Sequence, residues 1–370
     1  MKMAFFTDTY KPQINGVVRS IDLFAKELRK RHSVYILSPS KTGDKFSYGF
    51  SSIEFKNYPG YRIALPHSMI YDNLFSKVRF DIVHVHSPFT TGLAGLMFAR
   101  KRKIPVVGTF HTLFPEYLHY LVTNKRLMQV KWIKSYLKNM SWSYLRSFYN
   151  KCDAVIAPTE GIRGVLKKNG IKNVHVLPTG IDAHTKSYDK GVKKKFGLAK
   201  KIILHVGRIT EEKKIGQIMT MLRPVLAKGD AALVVTSDGP YRKRLEEKSR
   251  ELGIEDNVIF TGYLREQELQ GFYHAADVFV MASETETQGL VLLEAAFAGL
   301  PCVVMEAPVV GDFVRENKIG HVATAKTFAS AVRKYLTTRT RLQTTAIRKK
   351  YDIKFCAQKL ESLYNEVLKG

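Results

Sequence analysis

Cysteine is scarce in this chain. Cys152, Cys302 and Cys356 are odd in number and far apart; they fit neither a zinc spacing nor a disulfide framework, and each reads as a small buried hydrophobe. No long apolar stretch is free of charge, so no membrane-spanning helix is expected. The opening residues, Met1 to Asp8, read as a strand and lack the apolar region and small-residue cleavage site of a secretory leader, which points to a cytoplasmic location. Low-complexity tracts are missing, and with them the disordered class. Also missing is any helix-turn-helix, RNA-recognition or zinc-finger pattern. Acidic residues are the remaining shortage: 33 Asp and Glu stand against 59 Lys and Arg, a formal net charge of +26. Such a field attracts nucleic acid, an acidic membrane surface or phosphorylated small molecules, and composition does not choose among them.

At 370 residues the chain exceeds the size at which one core keeps growing, and two domains are expected. Short apolar runs alternate with helical patterns. Met3 to Thr7, Val34 to Leu37, Asp81 to Val85, Pro105 to Thr109, Val155 to Ala157 and Val174 to Leu177 form a first series of strands. Ile202 to Val206, Ala232 to Thr236, Val258 to Phe260, Val278 to Met281 and Pro301 to Val304 form a second. Behind the loop Lys11 to Gly16, Val18, Ile21, Phe24, Ala25 and Leu28 recur at helical spacing. Continuous apolar strands separated by helices indicate parallel sheets covered on both faces. The expected fold class is therefore α/β, with two doubly wound, Rossmann-like domains. They span residues 1–180 and 181–350 and meet near the turn-rich Pro178-Thr179-Gly180-Ile181-Asp182. Residues 351–370 read as a closing amphipathic helix that returns to the N-terminal domain. Lys41 to Tyr61, rich in Gly, Ser and Tyr, reads as loop or short strands.

Ligands of doubly wound sheets bind beyond the carboxyl ends of the strands, and four features fall there. Gly207-Arg208 directly follows the strand ending at Val206, with Lys213 five residues on. The glycine lets the backbone turn close to a ligand, the guanidinium can fork onto phosphate oxygens, and the ammonium acts as a point charge. A solvated loop with ordinary surface cations is the plain alternative. Glu286 and Glu294 follow the strand Val278 to Met281, and Gly289 opens an apolar helix whose first amides can hold phosphate or sugar oxygens. Glu294, set among Leu292, Leu293, Ala295 and Ala296, needs a partner: a sugar hydroxyl, a ribose diol or a nearby arginine. Asn15-Gly16 makes room for a diphosphate at a helix start, or serves the turn alone. His111, just past Thr109, can hydrogen-bond a sugar hydroxyl, polarise a reacting group, or be a satisfied structural histidine. His84 reads as structural, and His86 stays open.

Together these residues resemble the retaining glycosyltransferases of family 4, which have the GT-B fold of two Rossmann-like domains facing a central cleft. The resemblance runs nearly end to end and in order. Glu286 and Glu294, seven residues between them, look like the family's paired glutamates. Gly207-Arg208 with Lys213 resembles its diphosphate clamp, Asn15-Gly16-Val17 its glycine loop, and Pro178 to Asp182 its hinge. Gly262-Tyr263 resembles the segment that meets the nucleobase, and Ser237-Asp238-Gly239-Pro240 another family turn. The resemblance implies that Glu294 binds the ribose, that Glu286 holds hydroxyls of the donor sugar, and that Arg208 and Lys213 neutralise the leaving diphosphate. It implies that backbone near Gln288, Gly289 and Leu290 supports phosphate and sugar, and that His111 contacts the sugar. A nucleotide-sugar co-substrate is implied, with no metal and no separate cofactor. A same-face displacement follows, in which the donor phosphate helps accept the acceptor's proton. Three places depart from the family's pattern: Gln288 stands where Phe-Gly is common, Thr179 where Asn is common, and Glu306 to Gly311 lacks the glycine-rich turn.

Within that family, Thr287 to Leu290 and Phe110 to Tyr120 look most like the diacylglycerol glucosyltransferases, which implies UDP-glucose and a lipid acceptor at the inner membrane face. A physical pattern points the same way. From Tyr117 to Cys152 there is no acidic residue, while Lys125, Arg126, Lys131, Lys134, Lys138, Arg146 and Lys151 interleave with Trp132, Tyr136, Trp142, Tyr144, Phe148 and Tyr149. Helical spacing puts Val130, Ile133, Leu137 and Met140 on one arc and Lys131, Lys134 and Lys138 on another. That is the pattern of an interfacial helix on an anionic membrane, or of a core helix with a basic polar face. The expected membrane or acceptor contacts are Lys125, Arg126, Lys131, Trp132, Lys134, Lys138 and Trp142. A soluble sugar, polyol or glycan acceptor keeps the same donor chemistry. Nucleic-acid binding rests on charge alone, and no nucleic-acid partner is expected. Monomer and dimer both stay open.

Overall fold

The structure is a computed structural model that describes residues 1–54, 62–65, 78–118, 130–182, 188–198, 200–338 and 340–370. The chain divides into two compact units, Met1–Gly180 with Ile353–Gly370, and Ile181–Asp352.

The first unit carries β1 (Lys2–Phe6), β2 (Ser33–Ser38), β3 (Ser47–Gly49), β4 (Ser52–Glu54), β5 (Arg62–Ala64), β6 (Ile82–Val85), β7 (Val106–Thr109), β8 (Ala154–Ala157) and β9 (Val174–Val176). Seven of these form one parallel sheet in the order β3-β2-β1-β6-β7-β8-β9, and β4 and β5 pair apart from it as an antiparallel ribbon. Every residue of β6, β7 and β8 is buried, as expected of strands covered on both faces, and these strands are largely apolar apart from His84 and Thr109. The strand order reverses at the β1–β6 pair, so the loops beyond those two strands diverge.

Asp8, just past β1, ties that divergence together. Its buried carboxylate accepts from Ser87 Oγ at 2.6 Å, from Thr90 Oγ1 at 2.8 Å and from the Thr91 amide at 2.8 Å, at the start of the helix Thr90–Arg102. A carboxylate at a helix N-terminus is favoured by the helix dipole as well. On the other side of β1, the helix Gly16–Leu28 is capped by Asn15, whose side chain accepts from the Val18 amide at 3.0 Å. Val18, Ile21, Phe24 and Leu28 face inward, and each contributes roughly 1.5–3 kcal/mol on burial. They share one core with Ile353, Cys356, Ala357, Leu360, Leu363 and Tyr364 of the closing helix. All three cysteines are free and buried.

The second unit holds β10 (Lys201–Val206), β11 (Ala231–Thr236), β12 (Val258–Phe260), β13 (Val278–Met281), β14 (Cys302–Met305) and β15 (Gly320–Ala323). They form a parallel sheet in the order β12-β11-β10-β13-β14-β15, with its reversal at the β10–β13 pair. The ends of this unit are joined, because the Ile181 amide donates to the Tyr351 carbonyl at 3.0 Å.

Two features differ from the sequence reading, the edge strand β15 and the start of the closing helix. The edge strand β15 was not expected; Gly320-His321-Val322-Ala323 has too little apolar content to stand out. Short strands do occur within Lys41 to Tyr61, of which residues 55–61 lie outside the described set. The closing helix does not begin at Tyr351. Tyr351 ends a separate helix, Thr345–Tyr351, Asp352 is extended, and a new helix runs Ile353–Lys369. The break coincides with the passage of the chain from one unit to the other.

Candidate active site

Two loops leave the reversal point of the second sheet, one after β10 and one after β13. They carry Gly207, Arg208 and Lys213 on one side, and Glu286, Gln288 and Gly289 on the other. Because β10 and β13 are neighbours, these segments meet although more than seventy residues separate them. Lys213 forms an ion pair with Glu286, and Lys214 forms another with Glu284. Burial on its own raises the Glu286 carboxyl; the Lys213 ammonium, with smaller effects from Ser283 and His205, more than offsets this, and the net pKa lies below the ordinary glutamate value. Lys213 closes a short 3-10 turn, Glu211–Lys213, and Lys214 is left-handed, which aims consecutive ammonium groups at the two glutamates.

Two glycines here are required, each for its own reason. Gly207 needs its backbone freedom, at φ +154, although a Cβ on it would make only ordinary contacts, 3.7 Å from His205 Nε2 and 4.0 Å from Lys213 Cε. A Cβ on Gly239 would come within 2.2 Å of the Ile209 carbonyl oxygen, so the Ser237-Asp238-Gly239-Pro240 turn lies directly on the Arg208–Ile209 backbone. The Ile209 amide donates to the Asp238 carbonyl at 3.0 Å, and the Ser237 amide to the Gly262 carbonyl at 2.8 Å. This brings the Gly262-Tyr263 segment into the same cluster of loops, with Tyr263 exposed.

Gly289 is left-handed, at φ +76, and caps the helix Leu290–Phe297 without a side-chain hydrogen bond to its first amides. Gln288 is buried. Glu294, one turn into that helix, is 9 % exposed, and its Oε2 accepts from the Tyr273 hydroxyl at 2.9 Å. Tyr273 is wholly buried in the helix Glu266–Ala275. It was not singled out in the sequence, where one tyrosine in an amphipathic helix carries no distinguishing signal. His205 was missed as well. It is fully buried in β10, its Nδ1 lies 3.0 Å from the Val280 carbonyl, and its Nε2 has no partner among the described residues. A histidine inside Ile-Ile-Leu-His-Val was the available signal.

In the first unit, Gly16 opens its helix, and a Cβ there would meet nothing within 4 Å. The fold does not demand that glycine. His111 lies just past β7, partly exposed, with its Nε2 3.0 Å from His86 Nδ1. His84 is the structural histidine expected of it: Nδ1 lies 2.6 Å from the Tyr364 hydroxyl and Nε2 2.7 Å from Thr109 Oγ1. Thr179 finds its use in a 2.7 Å hydrogen bond with Ser20.

Comparison with known proteins decides the family. The pattern of Glycosyltransferase Family 4 matches residues 14–185, and that of Glycosyl transferases group 1 matches residues 190–352. The alpha-monoglucosyldiacylglycerol synthase of Streptococcus pneumoniae is 33 % identical over 86 % of this chain and 74 % of its own length. This chain belongs to glycosyltransferase family 4. The enzyme of the same description from Acholeplasma laidlawii is 29 % identical to the glycosyltransferase over 86 % of this chain and 84 % of its own. Among solved structures, Anabaena HepE in complex with UDP-glucose superposes with a TM-score of 0.73 at 15 % identity, covering 99 % of this chain and 100 % of HepE. The two parallel sheets are those of the GT-B fold.

The basic aromatic segment of the glycosyltransferase behaves as two halves. Lys125 and Arg126 lie outside the described residues. The helix Lys131–Tyr149 buries Ser141, Leu145, Phe148 and Tyr149 at its C-terminal end. Its N-terminal half is not a core helix: Trp132, Tyr136 and Met140 are 71 %, 62 % and 55 % exposed, and Lys131 and Lys134 are exposed beside them. Two expected surface contacts need correction. Lys138 is ion-paired with Glu116, and Trp142 is half-buried with its ring stacked on Phe110 at 6.1 Å. Both face the protein because the helix turns their arc toward the loop after β7. Among the described residues, no helix is long and apolar enough to cross a membrane.

Three buried histidines and the partly exposed His111 give the glycosyltransferase an acid-side weakness. Burial lowers His84 and His86 below the ordinary 6.5 and lowers His111 and His205 to about 4. As pH falls below 6.5 the unfolded chain takes up protons that the folded chain refuses. Stability is therefore full above pH 6.5 and falls toward pH 4, by about 1.4 kcal/mol per pH unit for each proton so withheld. Urea midpoints measured from pH 7.5 to 4.5 should decline steadily below 6.5; a flat profile would contradict the neutral, buried state of these rings.

Proposed function

We propose that this glycosyltransferase moves glucose from UDP-glucose to the hydroxyl of a membrane diacylglycerol, with retention at the anomeric carbon. The observation that carries the acceptor is the exposed Trp132–Tyr136–Met140 ridge beside Lys131 and Lys134. Three large, mostly apolar side chains four residues apart in a helix, flanked by exposed lysines, suit the headgroup boundary of an anionic bilayer. The two synthases named above act on the same acceptor class by their description, and HepE carries UDP-glucose.

In this reading Glu294 holds the ribose diol and the backbone of Gly262-Tyr263 meets the base. Arg208 and Lys213 take the diphosphate with the open helix start at Gln288, Gly289 and Leu290. Glu286 and His111 hold hydroxyls of the sugar, and Gly16 and Gly207 keep backbone room for the phosphates. The bond from the sugar C1 to the phosphate oxygen breaks, and the lipid oxygen bonds to C1 from the same face. Its proton passes to a phosphate oxygen of the departing nucleotide.

The test is a screen of UDP- and GDP-sugars against diacylglycerol in anionic vesicles and against soluble sugars and polyols, with the product anomer determined. An α-glucosyl lipid from UDP-glucose is the expected product; transfer only to a soluble acceptor would sink the lipid reading. Flotation supplies a second check. Trp132→Ala with Tyr136→Ala should weaken vesicle binding by roughly 30–1000-fold, since each aromatic contributes about 1–2 kcal/mol when it enters the interface. Unchanged flotation would remove this helix from the membrane.

A further inference from the structure

We propose that His86 is a positioning residue for the transfer reaction: its Nδ1–H donates to His111 Nε2 and so fixes the His111 proton on Nδ1. This rests on the reading that His111 touches the donor sugar. Three rings form a stack in the first unit. The His84 and His86 centroids lie 4.0 Å apart at 27°, and those of His86 and His111 lie 5.3 Å apart at 23°. His84 is locked at both nitrogens, by Tyr364 and by Thr109, and forms a fixed shelf beneath His86. Phe5 closes another side of the His86 ring, at 4.8 Å between centroids.

The direction of the 3.0 Å hydrogen bond follows from what His86 lacks. One of the two facing nitrogens carries a proton and the other a lone pair. If His111 were the donor, neutral His86 would have to hold its proton on Nε2, which is buried with no partner among the described residues. A buried N–H without an acceptor is among the rarest defects in folded proteins. With the proton on His86 Nδ1 that defect vanishes, and His111 Nε2 becomes the acceptor. Neutral His111 must then carry its own proton on Nδ1, the reverse of the tautomer that free histidine favours. Burial keeps the three rings neutral, so no imidazolium with protons on both nitrogens intervenes. The consequence for the reaction is directional. His111 offers the substrate an N–H from Nδ1, and the sugar hydroxyl facing it must accept.

The decisive measurement is the long-range proton–nitrogen NMR spectrum of the full chain with labelled histidine, His111 being assigned with His111→Gln. Wild-type His111 is expected in the Nδ1-protonated form. His86→Asn places an amide N–H where Nδ1–H was and should keep that tautomer and most of kcat. His86→Leu should move His111 toward the Nε2-protonated form and lower kcat by roughly tenfold with little change in donor KM, the scale on which ring-orienting partners act. An Nε2-protonated His111 in the wild-type chain overturns the proposal without reference to any variant. Equal behaviour of the Asn and Leu variants in spectrum and kcat overturns it too. Full activity in His111→Ala would instead strike His111 from the reaction, and the proposal would fall there as a functional claim, even with the tautomer as stated.

Discussion

Replacing Lys213 with alanine is expected to lower kcat by about 10²–10³-fold while weakening UDP binding no more than roughly tenfold. As the sugar–phosphate bond breaks, negative charge grows on the diphosphate, and an ammonium held at that position interacts most strongly with the transition state. The structure supplies the holding: Lys213 ends a short 3-10 turn after β10 and is anchored by the Glu286 carboxylate that emerges after β13. The same substitution strips Glu286 of its counter-charge. Burial, the largest influence on that carboxyl, then works against only the smaller effects of Ser283 and His205 and shifts it toward the protonated form. A double variant, Lys213→Ala with Glu286→Gln, separates the two effects. It should recover stability relative to the single variant, because no unpaired buried carboxylate remains, and it should recover no turnover. Stability has a pH signature as well. Glu286 is lowered below 4.5 in the folded chain, so the pair's contribution is complete above that value and is lost as pH falls through the lower, folded-state value. In Lys213→Ala this acid-side loss should disappear. Calorimetry with UDP and single-turnover kinetics check the first claim; equal losses in affinity and rate would contradict it.

How much of this was legible beforehand depends on the kind of signal. Lys213 and Glu286 each follow an apolar run, and in a parallel sheet every residue that follows a strand lies at the same end. Their chemistry was therefore readable from position alone. That they touch was not readable, because contact depends on β10 and β13 being neighbours, a property of the winding order. The roles of Asp8, His205 and Tyr273 were hidden for a different reason, although His205 stood out within its apolar run. A polar residue inside an apolar element looks the same in sequence whether it is bonded to a neighbour, orphaned or functional; only the partner's identity distinguishes them. The tryptophans make the point within one helix. Trp132 and Trp142 sit ten residues apart in the same basic aromatic run, yet one is exposed and the other lies on Phe110. Composition cannot resolve that difference, since it rests on which arc of the helix meets the body of the unit. The Lys138–Glu116 pair lay equally out of reach, because a run without acidic residues suggests a free field and the counter-charge stands just before the run begins.

Glu294 offers the largest expected effect on binding. It is 9 % exposed in an apolar helix, with one oxygen held by the Tyr273 hydroxyl at 2.9 Å. A carboxylate so placed is oriented before any ligand arrives, which spares the ordering cost a surface glutamate would bear. If its oxygens accept both hydroxyls of a ribose, each charge-assisted hydrogen bond is worth about 1.5–3 kcal/mol, and Glu294→Ala should weaken UDP binding by at least about 100-fold. Tyr273→Phe should act in the same direction and less, roughly threefold to tenfold, because it removes an orienting hydrogen bond and leaves the carboxylate. Glu294→Gln tells a ligand role from a structural one. The amide keeps the volume and can still accept from Tyr273, so the fold should survive with a small change in melting temperature. Its nitrogen cannot accept from a ribose hydroxyl, so affinity for UDP should still fall by about tenfold or more. A Glu294→Gln variant that melts early yet binds UDP at full strength would assign the carboxylate to the helix interior and take it out of the donor's grip.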